Sequence, residues 1–267
     1  MLQRVLRVLG SFTLILLGCS TLSARVHAQS CGPIGGSNVF YGPQQKHPYT
    51  ATVHITNERH LYDGNVIRSE ATLHESRDSA GRTRSESIIG CDVGDDGRMV
   101  PRLQIMVSDS VTKTTESWAE SSSSARTAQV NHWSVPEPLS KEEMAREIAR
   151  SKAQRAAYPT HTEKLGTRTI AGLLAEGTRT TRTTPPGTIG NVLAITAVEE
   201  VWVSREYGVM LLRTSDNPLN SHQSFEVTDI ILAEPDASLF SPPANYSISD
   251  TELKVVRQAA SAQPAGQ

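Results

Sequence analysis

The sequence predicts a mainly β protein, α+β in detail: antiparallel strands in one sheet, with a single covering helix. Three observations carry that expectation. Apolar residues recur at every second position through most of the chain. Short turn signals separate those runs at regular intervals. Only one segment carries a helical start signal with a matching apolar stripe. The chain has 267 residues, 37% hydrophobic and 5% aromatic, with a formal net charge of -2. That length can bury a substantial core, though with few large aromatics to fill it. The near-neutral balance gives no reason to expect nucleic acid as a partner.

Taken in order, Tyr49 to Glu58 alternates as a strand, Tyr62-Asp63-Gly64 turns, and Asn65 to Ser76 returns. Pairing the two around a three-residue loop sets Val53 against Leu73 and Ile55 against Ala71. Thr52/His74, His54/Thr72 and Glu58/Arg68 then occupy the other face. A slip of one residue would scatter the apolar set, so this register is favoured. Asp78-Ser79-Ala80-Gly81 turns into a third strand, Arg82 to Ile89. After the Asp92–Gly97 loop come strands at 102–108, 111–119 and 125–130, with a serine-rich turn at 121–124. The helix follows Pro136 and Pro138. Ser140 and Glu143 form a capping box, Met144 and Ile148 share a face, and Pro159 stops the element. Its apolar stripe is narrow, which suits the surface of a sheet. Strands resume at 162–170, 173–183, 193–204, 209–215 and 221–233. No linker divides them, so residues 49–248 are read as one domain, with 249–267 a disordered tail.

The N-terminus carries an export signal. Arg4 and Arg7 precede a mostly apolar run from Val8 to Leu17, and Val26-His27-Ala28 suits a signal peptidase. Residues 1–28 are therefore expected to be a signal peptide, followed by a flexible arm at 29–48. Cleavage removes three arginines and no acid, taking the net charge from -2 to -5. A second reading makes Leu16-Leu17-Gly18-Cys19 a lipobox, which would anchor the protein to a membrane through Cys19. Under either reading Cys31 and Cys91 remain, and an even pair in an exported chain is expected to form a disulfide. Closing that loop would stabilise by roughly 4 kcal/mol in the chain-entropy model.

The second half contains Leu165-Gly166, Ala175-Glu176-Gly177-Thr178-Arg179, Pro186-Gly187-Thr188-Ile189-Gly190-Asn191 and Glu200-Val201-Trp202-Val203-Ser204. Its tail runs Glu234-Pro235-Asp236-Ala237-Ser238-Leu239-Phe240 with Pro243 and Tyr246. With Tyr49, Arg77-Asp78 and Gly81-Arg82-Thr83-Arg84, this resembles a family of uncharacterised exported bacterial proteins over roughly residues 47–248. The strand ending in Trp, its returning strand and the Leu-Phe…Pro…Tyr tail are also similar to lipoprotein-carrier and sigma-regulator half-barrel proteins of the bacterial envelope. That resemblance implies a curved antiparallel sheet or half-barrel whose concave apolar face can hold acyl chains.

Chemistry-bearing constellations are sparse. His54 and His74 lie diagonally on the polar face without a third ligand, so no metal is assigned. Asp92, Asp95, Asp96 and Gly97 suggest a calcium loop, but Gly94 and Leu103 stand where oxygen ligands are required, which leaves a solvated acidic turn. No G-x-S-x-G elbow or phosphate loop is present, and no catalytic residue or cofactor is assigned. Arg168, Arg179 and Arg182 read as a solvated sheet face, with Glu163 and Glu176 available as partners. Trp118, Trp202 and Phe225 are the candidates for lining a ligand groove. The expected function is that of an exported, non-catalytic envelope protein, periplasmic or secreted. It would bind a lipid or other apolar ligand, or an envelope protein, on its sheet. A sensor or scaffold acting by protein contact and a hydrolase are the alternatives.

Overall fold

The computed structural model describes Ile34 and residues 47–120, 126–134 and 137–252. The expected signal peptide, the lipobox with Cys19, Cys31, nearly all of the arm and the end of the tail lie outside the described residues. The chain builds β1 (Tyr49–His60), β2 (Val66–Arg77), β3 (Thr83–Val93), β4 (Met99–Asp109), β5 (Thr114–Glu120) and β6 (Thr127–His132). Helix α1 (Lys141–Ala157) follows, then β7 (Thr160–Ile170), β8 (Leu173–Thr184), β9 (Ile195–Ser204), β10 (Val209–Asp216) and β11 (His222–Ile231). A 3-10 helix at Ala237–Phe240 and a last strand, β12 (Ser247–Glu252), complete it.

All twelve strands form one curved, unclosed sheet in the order β12-β6-β5-β4-β3-β2-β1-β11-β10-β9-β8-β7. Every pairing is antiparallel except β12 on β6, which is parallel. The β1–β2 hairpin takes the register that its apolar alternation demands. Val53 faces Leu73, Ile55 faces Ala71, and His54 faces Thr72. The β7–β8 connection is the two-residue turn Ala171-Gly172, both with positive φ (46° and 79°), a backbone that matches the twist of the flanking strands.

The buried residues are not spread evenly along the strands. In β1–β4 and β8–β11 each of them lies at the middle of its strand or in the half leading to the β2–β3, β4–β5, β7–β8 and β9–β10 turns. We call this the closed end. The segment after β11 starts at this end and crosses the sheet to the start of β6. Glu234 accepts from the Ser79 backbone N–H at 3.2 Å, and the Arg82 guanidinium lies 4.8 Å from the Phe240 ring. Phe240 is buried with Trp118, Ile105 and Val107, and the Tyr246 hydroxyl donates to the Ala119 carbonyl at 3.0 Å. No local pattern marks this crossing, and β12 extends to Glu252, four residues into the segment expected to be a disordered tail. Its six residues gain a backbone ladder only because the crossing delivers them to β6, which no local pattern announces.

Helix α1 has the expected capping box: the Ser140 hydroxyl accepts from the Glu143 backbone N–H, and the Glu143 carboxylate accepts from the Ser140 N–H. It buries none of its residues, and Met144 and Ile148 remain exposed. No helix among the described residues is long and apolar enough to cross a membrane.

Candidate binding face

Strands β2, β1 and β11 pair in continuous register from Val53 onward, so their side chains stack in rows on one face. Nearest the closed end, Leu73, Val53 and Val227 form a row that is at most 1% exposed. The next row, Ala71, Ile55 and Phe225, is still apolar, but Ile55 and Phe225 are only half-buried. Beyond it stand Ser69, Asn57 and Gln223, and the hairpin ends with Arg59 opposite Ile67. The face therefore grades from a sealed apolar floor, through a partly open apolar row, to a polar row. The Asn57 side-chain carbonyl is buried and has no hydrogen-bond partner among the described residues. An unsatisfied buried acceptor is costly, and occupation by a donor would relieve it.

Phe225 thus stands where an apolar ligand could reach it, packed against the cluster that contains Val53, Val227, Leu211 and Trp202. Trp202 is 7% exposed. A Cβ at Gly177 would sit 2.7 Å from its ring atoms, while the Arg168 guanidinium lies 4.0 Å from the ring centroid on this well-packed residue. Its indole N–H is buried with no hydrogen-bond partner among the described residues. Trp118 belongs to a different cluster, with Ile105, Val107, Ala128 and Phe240. The structure brings Phe225 and Trp202 into one cluster and keeps Trp118 apart from both.

Polar residues singled out in the sequence mostly serve the sheet. Arg179 donates to Glu200 at 2.7 Å and to Glu163 at 2.9 Å. Glu176 instead meets Arg205, at 3.4 Å. His74 Nδ1 lies 3.1 Å from Glu86, whose carboxylate also accepts from Arg84 at 2.7 Å. No group of three metal-ligating side chains is present among the described residues. The acidic loop closes as a turn, Gly94 N–H to Arg98 carbonyl at 2.7 Å, with Asp96 accepting from the Arg98 N–H.

Sequence reading missed a buried polar hub at the closed end. The Tyr49 hydroxyl donates to Glu75 at 2.8 Å, and both residues are wholly buried. Arg77, 1% exposed, donates to the His47 carbonyl at 2.8 Å and the Tyr207 carbonyl at 2.7 Å, and stacks 4.7 Å from the Tyr49 ring centroid. Burial, then the negative Glu75, holds the Tyr49 hydroxyl pKa well above its ordinary value, while burial lowers that of Arg77. The signal was slight: a Tyr at a strand start and a charged strand end, Glu75-Ser76-Arg77, that looks solvated when read alone.

No family model matches the sequence, and no curated protein does. Solved structures similar to it include an uncharacterized conserved protein from Thermus thermophilus, at 9% identity and a TM-score of 0.39, covering 78% of this chain and 93% of that one. MucB is 13% identical with a TM-score of 0.32, over 76% of this chain and 60% of its own. The Mycobacterium tuberculosis lipoprotein LppX is 13% identical with a TM-score of 0.25, over 66% and 84% of the two chains. The architectural resemblance expected from the sequence, to lipoprotein-carrier and sigma-regulator proteins, is met among these neighbours. At such identities and scores no ligand, partner or role passes from them to this chain.

Proposed function

We propose that this is an exported, non-catalytic protein that binds an amphiphilic lipid on the half of its curved sheet away from the core. One observation carries the reading: apolar packing ends partway along β2, β1 and β11, at the half-buried row of Ile55 and Phe225. Acyl chain laid on that row would bury apolar area at roughly 25 cal/mol per Å². The polar part of the ligand would meet Asn57, Ser69 and Gln223, with a donor for the Asn57 carbonyl. Titration of delipidated protein with lysophosphatidylethanolamine should show saturable binding, weakened at least tenfold in Phe225→Ala. Absence of binding by the parent protein, or equal binding by the variant, would refute the lipid face.

The expected disulfide between Cys91 and Cys31 belongs to the same reading of an exported chain. Ile34 and Ile88 exchange both backbone hydrogen bonds, at 3.0 and 3.2 Å. Cys31 precedes Ile34 by three residues and Cys91 follows Ile88 by three, and this bridge between the two segments supports the proposed bond. Intact-mass measurement after alkylation of unreduced, denatured protein should show both mature cysteines protected. Two alkylated thiols would end the proposal.

A further inference from the structure

We propose that the end of the sheet opposite the core is a docking edge for a lipid bilayer surface, contacting it through the tips of four adjacent hairpins. This goes beyond the ligand reading and does not depend on it. The strand order sets the hairpins β4-β3, β2-β1, β11-β10 and β9-β8 side by side. Their registers turn all four loops to the same end. At about 4.8 Å per strand, the six strands from β2 to β8 that stay paired toward this end make an edge about 24 Å long; β3 pairs with β2 only at the other end, so the β3–β4 tip stands further off.

Apolar side chains gather there. Of nineteen exposed large hydrophobics among the described residues, ten lie on these four tips. Tyr62, Val66 and Ile67 belong to the β1–β2 tip, and Tyr62 is fully exposed. Val93, Met99 and Val100 flank the β3–β4 turn. Leu219 sits in the β10–β11 turn, and Ile189, Val192 and Leu193 in the β8–β9 loop. The closed half instead exposes Met106, Val111, Leu174, Ile231 and Leu232, while Tyr49, Ala51, Val53, Leu173, Val209 and Leu211 are buried there.

The arrangement favours a bilayer over a protein strand or helix. The apolar residues stand on four separate points, whereas a strand needs a continuous unpaired edge and a helix a continuous groove. Each tip also satisfies backbone groups within itself. Leu61 donates to Asn65 and Gly64 to Leu61; Gly94 donates to Arg98, Gly187 to Asn191, and Asn220 to Asn217. Shallow insertion of such a turn therefore need not strip every backbone group of its partner, the main cost of placing irregular chain in lipid. Tyr62 has the amphipathic ring that suits the headgroup level, and Arg59, Arg68 and Arg98 can reach phosphates. Asp63, Asp95 and Asp96 occupy the same tips, so the contact is apolar in character and has no need of anionic lipid.

Flotation with phosphatidylcholine vesicles tests the edge. The full chain without its expected signal peptide should float with the vesicles, in high salt as in low. Tyr62→Ser/Val192→Ser/Leu193→Ser should reduce the bound fraction at least tenfold while keeping the circular dichroism of the parent. Met144→Ser/Ile148→Ser, which removes exposed apolar residues from α1, should float like the parent. The proposal fails if the parent stays in solution, if the tip variant floats unchanged, or if the helix variant loses binding equally. Self-association in sedimentation velocity that the tip variant abolishes, without vesicle binding, would assign the edge to a second copy and overturn the bilayer.

Discussion

Tyr49 shows how one side chain can bind distant pieces of sequence together. Its ring supports Arg77, its hydroxyl reaches Glu75, and Arg77 in turn holds the carbonyls of His47 and Tyr207. Tyr49→Phe keeps the packing and deletes one hydrogen bond to a fully buried carboxylate, which should cost about 1–3 kcal/mol in urea unfolding at neutral pH. The sign of the pH effect follows from a folded-state pKa raised above 10.0. Below that ordinary value the hydroxyl is neutral in both states, and the stabilising contribution is whole. As pH rises from 10.0 toward the folded value, the unfolded chain ionises first and stability falls. Unfolding midpoints of the parent should therefore decline across that window more steeply than those of Tyr49→Phe; parallel declines would remove Tyr49 from the account.

Among the elements, α1 is the clearest case of local sequence acting alone. Its start is fixed by the Ser140–Glu143 capping box and its acidic first turn, while none of its residues is buried. Ser140→Ala should cost about 1 kcal/mol in the helix itself. Because so little tertiary packing depends on the helix, that loss should appear as faster hydrogen exchange over residues 141–157 with the global unfolding midpoint unchanged. A midpoint that drops with the exchange would mean the helix folds cooperatively with the sheet.

For the molecule as a whole, the division into a packed end and an open end predicts unequal local stability. Backbone ladders run the full length of β1 and β2, but burial supports only the end with Tyr49, Ala51, Val53, Leu73 and Arg77. Native-state hydrogen exchange should find lower opening free energies at residues 57–60 and 66–69 than at 49–53 and 73–77. Equal protection along both strands would contradict the division. A lipid bound on the Ile55–Phe225 row should raise protection at 57 and 69.

Alternation determined eleven of the twelve strands, and the β1–β2 register with them, because a slip of one residue would turn Val53, Ile55, Ala71 and Leu73 to the wrong face. Short-range hydrogen bonding likewise made the start of α1 readable in Ser140 and Glu143. What local pattern could not reveal was which strands become neighbours: that β11 lies on β1, that β12 crosses to β6, and that Trp118 and Trp202 belong to separate clusters. Those are choices among long-range pairings of similar local merit, decided by the summed burial of the whole sheet. The same choice sets four hairpin tips in a row and gathers the core at the other end.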